Sequence, residues 1–148
     1  MRSSSRRMHR PPRDGMAERH FTRNEAEALI PRLTAIMERV MNAHTEATAR
    51  QERLRAERQR IELSGGGVLD RTAWRDDSEA LKRATDAVRE GLDAIHALGG
   101  VPKDLALGLV DFPSLRGGHT VNLCWKYGER DIRFWHGLDE GYAARKPL

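Results

Sequence analysis

The chain is poor in aromatic residues, has a single cysteine and contains no long apolar run. Aromatic residues make up 5% of its 148 residues and charged residues 32%, a composition that suits an extended helical protein better than a compact globule. Without a long apolar run, the sequence predicts no membrane-spanning helix, and no apolar stretch follows the charged N-terminus to form a secretory signal. One cysteine cannot form an internal disulfide, which favours a reducing cytoplasmic location.

The positive net charge belongs to the first 20 residues. Six arginines and two acidic residues lie there, whereas residues 21–148 carry equal numbers of basic and acidic side chains. Because residues 1–20 are also rich in serine and proline, we expect a disordered tail, or an extension ahead of a true start at Met16. Such a tail could bind nucleic acid, but the folded body lacks the basic excess that phosphate binding requires. We therefore expect no nucleic-acid binding by the body.

Residues 22–63 are predicted to form one long helix. Thr22 and Glu25 have the spacing of a capping box, which marks the start of a helix. Pro31 falls in the third turn, where it is expected to kink the helix or to delay its start. Apolar residues then recur in the three- and four-residue steps of a heptad seam, which contains Ala26, Ile30, Leu33, Met37, Val40, Ala47, Leu54 and Ile61.

A second helix is predicted for residues 72–98. The turn Ser64–Gly67 separates the two helices, and Gly99, Gly100 and Pro102 end the second one. The expected arrangement is a long antiparallel hairpin that resembles a coiled coil. Because the first helix is the longer one, its N-terminal end has no helical partner, and we expect either the C-terminal segment or a second subunit to pack there.

The hairpin also predicts self-association. Two helices of this length leave one face half covered, and a homodimer with four helices would cover it. The narrow seam and its polar members argue against this interpretation, since His44, Gln51 and Arg58 interrupt the apolar positions. Polar residues within a seam commonly fix register or partner choice at some cost in stability.

The C-terminal segment, residues 103–148, has a different composition. Six of the eight aromatic residues lie within it. Alternating apolar and polar residues over 121–127 and 132–136 predict a β-hairpin, and a strand from Gly108 to Phe112, ended by Pro113, extends it to a three-stranded meander. Two or three strands are marginal alone in water, so one face must pack on the helices. The predicted fold is therefore α+β, mainly α, with a small aromatic β-rich cap on one end of the hairpin and a single domain over residues 21–148.

The chain resembles the bacterial family catalogued as domain of unknown function 2203. The resemblance is carried by Gly108–Pro113, by Leu123-Cys124-Trp125 and above all by Phe134–Gly141, and it covers roughly residues 21–148. The family has no assigned activity. The resemblance therefore implies the domain limits and a soluble bacterial protein, and it implies no mechanism.

The clearest cluster of reactive side chains lies near the C-terminus. His136, Asp139 and Glu140 follow the last predicted strand, and imidazole with carboxylates suits Zn, Fe or Mn. These three are the predicted metal ligands, with Cys124 on the neighbouring strand and His119 as further candidates; Asp111 is also not far along the chain. The spacing matches no established metal motif, and the alternative is a buried, hydrogen-bonded histidine.

Other catalytic motifs are weak or missing. Cys124 and His136 could form a nucleophilic dyad, but nothing in the sequence activates the thiol or supplies an oxyanion hole. The glycines after Ser64 follow no strand and lack the Lys-Ser/Thr pair of a phosphate-binding loop. The sequence therefore identifies no catalytic residue.

Three hypotheses follow from these patterns. The first is a non-enzymatic helical interaction or regulatory module that binds itself or another protein, with a binding surface on the cap formed by Trp125, Trp135, Tyr142 and Arg145. The second is a metal-binding protein or metal-dependent enzyme with its site on the cap. The third, the weakest, is an arginine-rich tail that anchors the protein to nucleic acid.

Overall fold

The computed structural model describes residues 19–148. The predicted disordered tail and the alternative start at Met16 thus lie outside the described residues, apart from the last two residues of the tail. His20 Nε2 lies 3.0 Å from the Thr120 hydroxyl, and the Arg19 guanidinium lies 4.4 Å from the centre of the Phe21 ring. These two residues therefore contact the domain.

The first predicted helix is divided into two. Helix α1 spans Arg23–Ala28 and helix α2 spans Ile30–Leu63. The capping box is confirmed, since the Thr22 hydroxyl accepts from the Glu25 amide and the Glu25 carboxylate accepts from the Thr22 amide, both at 3.1 Å. The break falls at Leu29, so that Pro31 occupies the first turn of α2, where a missing amide proton removes no intrahelical hydrogen bond.

The second predicted helix is confirmed almost to the residue. Helix α3 spans Arg71–Leu98, and the Asp70 carboxylate caps its N-terminus by accepting from the amides of Thr72 and Ala73. Gly99 ends the helix with φ at +94°, a conformation that favours glycine. A β-carbon at Gly99 would also overlap the Phe21 ring. Helices α2 and α3 pack together as the predicted hairpin.

The C-terminal sheet is larger than predicted. Five antiparallel strands follow one another in chain order. They are β1 (Val101–Asp104), β2 (Leu109–Arg116), β3 (His119–Lys126), β4 (Phe134–His136) and β5 (Lys146–Pro147), with a short 3₁₀ helix at Tyr142–Ala144 before β5. The three central strands correspond to the predicted meander. The edge strands β1 and β5 were not predicted, because two to four residues are too few to show an alternating pattern.

Strand β2 does not end at Pro113, which corrects the sequence-based prediction. Pro113 pairs with Asn122 of β3, whereas β1 reaches only as far as Asp111. On that open edge the Pro113 carbonyl accepts from the Phe21 amide at 2.7 Å. A proline is tolerated there because no neighbouring strand needs its missing amide proton.

One face of the sheet packs on the helices. Its side chains, together with α1, the first turns of α2 and the end of α3, form the core, which includes Phe21, Ala26, Ile30, Leu33, Met37, Val40, Ile95, Val110, Phe112, Leu123, Trp125 and Ile132. The Glu27 carboxylate also accepts from the Ile132 amide at 2.9 Å. Of the two expected coverings for the N-terminal end of the first helix, the cap is therefore the one observed.

Within residues 19–148, no helix is both long enough and apolar enough to cross a membrane.

Candidate metal centre

The register of β2, β3 and β4 brings three reactive side chains to the same face of the sheet. Asp111 lies opposite Cys124, and His136 lies opposite Asn122, two residues before Cys124. Because side chains alternate between the two faces of a sheet, these residues point away from the face formed by neighbours such as Phe112. The cluster therefore lies on the side of the sheet away from the helices.

The three ligand-forming side chains are close together and buried. The carboxylate of Asp111, the sulfur of Cys124 and a ring nitrogen of His136 all lie within 4.8 Å of one another. His136 Nε2 and Asp111 Oδ1 are 3.0 Å apart. Each residue is at most 3% exposed, so the polar atoms must be satisfied within the protein or by a bound ion.

The hydrogen bonds of His136 indicate that its Nε2 faces an acceptor. Its Nδ1 lies 2.8 Å from the carbonyl oxygen of Gly137, and its Nε2 lies 3.0 Å from Asp111 Oδ1. Both oxygens are acceptors, yet a neutral imidazole has only one N–H. A bound cation at Nε2 would satisfy both contacts.

Cys124 is not an activated nucleophile in this environment. Burial, and next the negative charge of Asp111, raise the pKa of its thiol to about 12. At neutral pH the thiol is protonated unless a cation replaces the proton, whereas catalytic cysteines have a lowered pKa. This burial argues against the Cys124–His136 dyad considered from the sequence.

A small open cavity of about 120 Å³ lies beside the cluster. Polar and apolar side chains line it together. The lining residues are Lys103, Leu109, Asp111, Asn122, Cys124, His136, Leu138, Glu140, Gly141 and Tyr142. The cluster is thus buried but has one side that a small molecule can approach.

Of the sequence-predicted ligands, the structure brings together only His136 and Cys124. Asp139 is exposed and lies outside the cluster, whose third member is Asp111. Glu140 lines the cavity but accepts from the Gly137 amide at 2.8 Å and from Lys146 Nζ at 2.5 Å. The Lys146 ammonium, and next the Gly137 amide, lower the pKa of Glu140. His119 is exposed at the start of β3 and is not part of the cluster.

Asp111 could have been recognised from one sequence signal. It is a carboxylate within the otherwise apolar run Leu109-Val110-Asp111-Phe112, where an acidic residue is rare without a specific partner. The alternation along β2 places it on the face opposite Val110 and Phe112. Its partners lie on other strands, so only the register identifies them.

Of the four residues of the predicted binding surface, one is buried, two are partly buried and one is exposed. Trp125 is fully buried and its indole N–H donates to the Glu129 carbonyl at 2.9 Å, which removes it from any surface. Trp135 is partly buried, with the cationic groups of Arg116 and Lys146 each 4.7 Å from its ring centre.

The other two surface candidates lie at the C-terminus. Arg145 stacks on Phe134 at 4.0 Å and donates to both Glu129 carboxylate oxygens and to the Cys124 carbonyl. It therefore anchors the C-terminal segment to the sheet. Tyr142, which lines the cavity, is 38% exposed.

Comparison with known proteins identifies the family and no more. No curated protein and no solved structure matches the chain. A family profile described as an uncharacterized conserved protein, DUF2203, matches residues 19–148. These limits coincide with the part of the chain that forms the helices, the sheet and the cluster, and the chain therefore belongs to the uncharacterised conserved family DUF2203.

Proposed function

We propose that this protein binds a transition metal ion, Zn²⁺ or Fe²⁺, through Asp111, Cys124 and His136. The observation that carries the proposal is the convergence of three buried ligand atoms from three strands. Thiolate and imidazole ligands select Zn or Fe, whereas Mn prefers oxygen ligands. The presence of Cys124 therefore narrows the metals considered from the sequence.

The geometry of the His136–Asp111 pair is compatible with this role. Ligand bonds of about 2.1 Å would separate the two donor atoms by about 3.0 Å in octahedral geometry and about 3.4 Å in tetrahedral geometry. The observed separation of 3.0 Å lies at the lower end of this range. In addition, a metal-bound histidine usually donates its other N–H to a carboxylate or a carbonyl, as His136 does to Gly137.

The number of protein ligands favours a catalytic rather than a structural site. Structural zinc sites have four protein ligands, whereas catalytic sites have three and leave a position for water or substrate. Here three ligands converge, and the open cavity lies beside them. A metal held by Asp111, Cys124 and His136 would supply Lewis-acid chemistry, either by activating a bound water as a nucleophile or by polarising a bound carbonyl. We therefore propose a metal-dependent enzyme.

Measuring bound metal tests whether the ligands are Asp111, Cys124 and His136, as proposed here. The sequence-based alternative includes Asp139 and His119 instead of Asp111. Metal should be quantified by mass spectrometry on the protein purified without chelator and then reloaded with Zn²⁺ or Fe²⁺. Asp111→Asn, Cys124→Ser and His136→Gln should each lower bound metal strongly. The matched controls Asp139→Asn and His119→Gln should leave metal content unchanged.

Two results would contradict the proposal. One is a wild-type protein that takes up no stoichiometric metal from either salt. The other is an Asp111→Asn variant that is folded by circular dichroism and still retains its full metal content.

A second candidate function, self-association through the hairpin, is supported by the weak packing of its distal half. From Met41 onward α2 buries no residue, and between Arg71 and Ala94 α3 buries only Asp77, Ala80 and Ala84. With 34 residues, α2 is about 51 Å long, so much of the rod has no protein cover. We propose that a second copy of this chain covers it.

The distal half of the hairpin contains side chains that such a dimer could bury. The buried Asp77 accepts from Arg50 at 2.7 Å, a pair that fixes the relative position of α2 and α3. Half-buried apolar residues lie on the same stretch, among them Leu54 and Trp74. These side chains would become fully buried in a four-helix arrangement.

Sedimentation equilibrium tests the self-association. Wild-type protein should sediment as a dimer, and Leu54→Glu should shift it to the monomer because a carboxylate would be buried without a partner. The neighbouring Arg55→Glu, at an exposed position, serves as the control. A wild-type protein that is monomeric at every concentration would rule out the dimer and leave the metal site unaffected.

A further inference from the structure

We infer that the cavity beside the metal ligands binds a small carboxylate anion, with Lys103 as its charged anchor and the metal as its second contact. This inference rests on the proposed metal site. It assigns the chemical class of the molecule that occupies the open coordination position.

The charges around the cavity support an anion only when metal is bound. A divalent ion would be neutralised by the Asp111 carboxylate and the Cys124 thiolate. The Glu140 carboxylate is already paired with Lys146 at 2.5 Å. Lys103 lines the cavity and forms no ion pair among residues 19–148. The loaded cavity therefore has one uncompensated positive charge.

The position of Lys103 follows from an irregularity of the sheet edge. The register between β1 and β2 shifts between Pro102 and Asp104, so Lys103 has no partner on β2. Such an irregularity can redirect a side chain. Lys103, an exposed residue, here lines the same cavity as the three ligands, which belong to other strands.

The size and lining of the cavity limit the anion to a small one with an apolar part. A volume of about 120 Å³ accommodates a few non-hydrogen atoms. Leu109 and Leu138 line it together with the Tyr142 side chain, which suits a short hydrocarbon chain. The Asn122 side chain also lines it and offers an amide N–H to a second oxygen. A short-chain carboxylic acid fits these features better than inorganic phosphate, which has no apolar part.

Metal and anion should bind with positive coupling. Without the metal, the Asp111 carboxylate offsets the positive charge of Lys103, and the anion has little reason to enter. With the metal, the anion gains a direct ligand bond. By thermodynamic linkage the anion must then raise the affinity for metal by the same factor by which metal raises the affinity for the anion.

Cobalt absorption on the full-length protein tests the inference. Co²⁺ should first be loaded to one equivalent, which establishes the metal site through its thiolate absorption band. Propionate is then titrated, and saturable changes in the visible d–d bands are expected, since these bands report the ligands of the ion. Propionamide, which has nearly the same shape and no charge, should bind at least tenfold more weakly.

Variants at Lys103 assign the anchor. Lys103→Met should weaken propionate binding by about fivefold, whereas Lys103→Arg should restore it and neither should change the Co²⁺ affinity measured without propionate. Lys82→Met removes an equal charge at an exposed position on α3 and should have no effect.

The outcomes separate this inference from the proposed metal site. A protein that takes up no Co²⁺ overturns both. If Co²⁺ is bound but propionate changes nothing, or propionamide binds equally well, the carboxylate site is wrong and the metal site stands. Tighter binding of inorganic phosphate than of propionate would overturn the assignment to a carboxylate, and unchanged propionate binding in Lys103→Met would overturn the role of Lys103.

Discussion

The affinity of the cluster for metal should rise steeply with pH, and Cys124 should be the main reason. Burial and the nearby Asp111 carboxylate raise the pKa of its thiol to about 12. That value lies about five pH units above neutrality, so ionising the thiol at pH 7 costs about 7 kcal/mol at about 1.4 kcal/mol per unit. A bound metal must displace this proton, so the cost lowers the affinity for metal at neutral pH and becomes smaller as pH rises.

The assay is a chelator competition for Zn²⁺ between about pH 6 and about pH 8. Each proton released on binding multiplies the apparent affinity by about ten per pH unit. The thiol contributes one such proton. For the wild type we therefore expect an affinity increase of about tenfold per pH unit.

Cys124→Ser isolates the contribution of the thiol. Serine has nearly the same size but keeps its proton throughout this range, so the variant should bind more weakly and lose about one factor of ten per pH unit from the slope. An Asp139→Asn control should have the wild-type slope. If Cys124→Ser and the wild type show the same pH slope, Cys124 is not a metal ligand and the reasoning is refuted.

Three further predictions follow from the same contacts. Because the pKa of Cys124 is raised, its thiol should stabilise the metal-free fold below about pH 9 and lose that contribution as pH rises towards about 12. Chemical denaturation should therefore show stability that falls above about pH 9, and the fall should be smaller in Cys124→Ser. The lowered pKa of Glu140 contributes stability that is present above its ordinary pKa near 4.5 and is lost as pH falls through the lower folded value. Lys146→Met should reduce this acid-side loss of stability in thermal melts, and the Gly137 amide should maintain the rest. Gly91→Ala should lower the free energy of unfolding by up to about 2 kcal/mol. The added methyl would overlap Val40 at a cost of about 1–3 kcal/mol, against which the gain in helix propensity is about 1 kcal/mol. Val40→Ala should reduce that penalty in the double variant, and additive losses would contradict the packing argument.

Much of the fold could be predicted because its signals are local. The capping box at Thr22 depends on four consecutive residues, and Gly99 ends α3 through its own backbone conformation. The alternation over β3 identifies a strand without knowledge of its neighbours. The edge strands β1 and β5 could not be predicted, since their two to four residues form strands only because β2 and β4 offer free hydrogen-bonding edges.

The candidate site was only partly predictable for the same reason. His136 and Cys124 were predicted from their residue types. Asp139 and Glu140 were predicted because they are carboxylates that follow His136 closely along the chain. Glu140, however, accepts from the Gly137 amide three residues earlier, a local role typical of a turn. Asp111 lies 25 residues from His136 along the chain and meets it only through the pairing of β3 with both β2 and β4.

The sequence by itself determined the helices, the central strands, the position of the turns and the residue types available for chemistry, because hydrophobic period and capping act over a few residues. The tertiary structure alone decided which face of the sheet meets the helices, and with it that Trp125 is buried and that Asp111, Cys124 and His136 converge. Strand register and the choice of buried face depend on contacts between distant segments, and a shift of one residue would have exchanged the two faces.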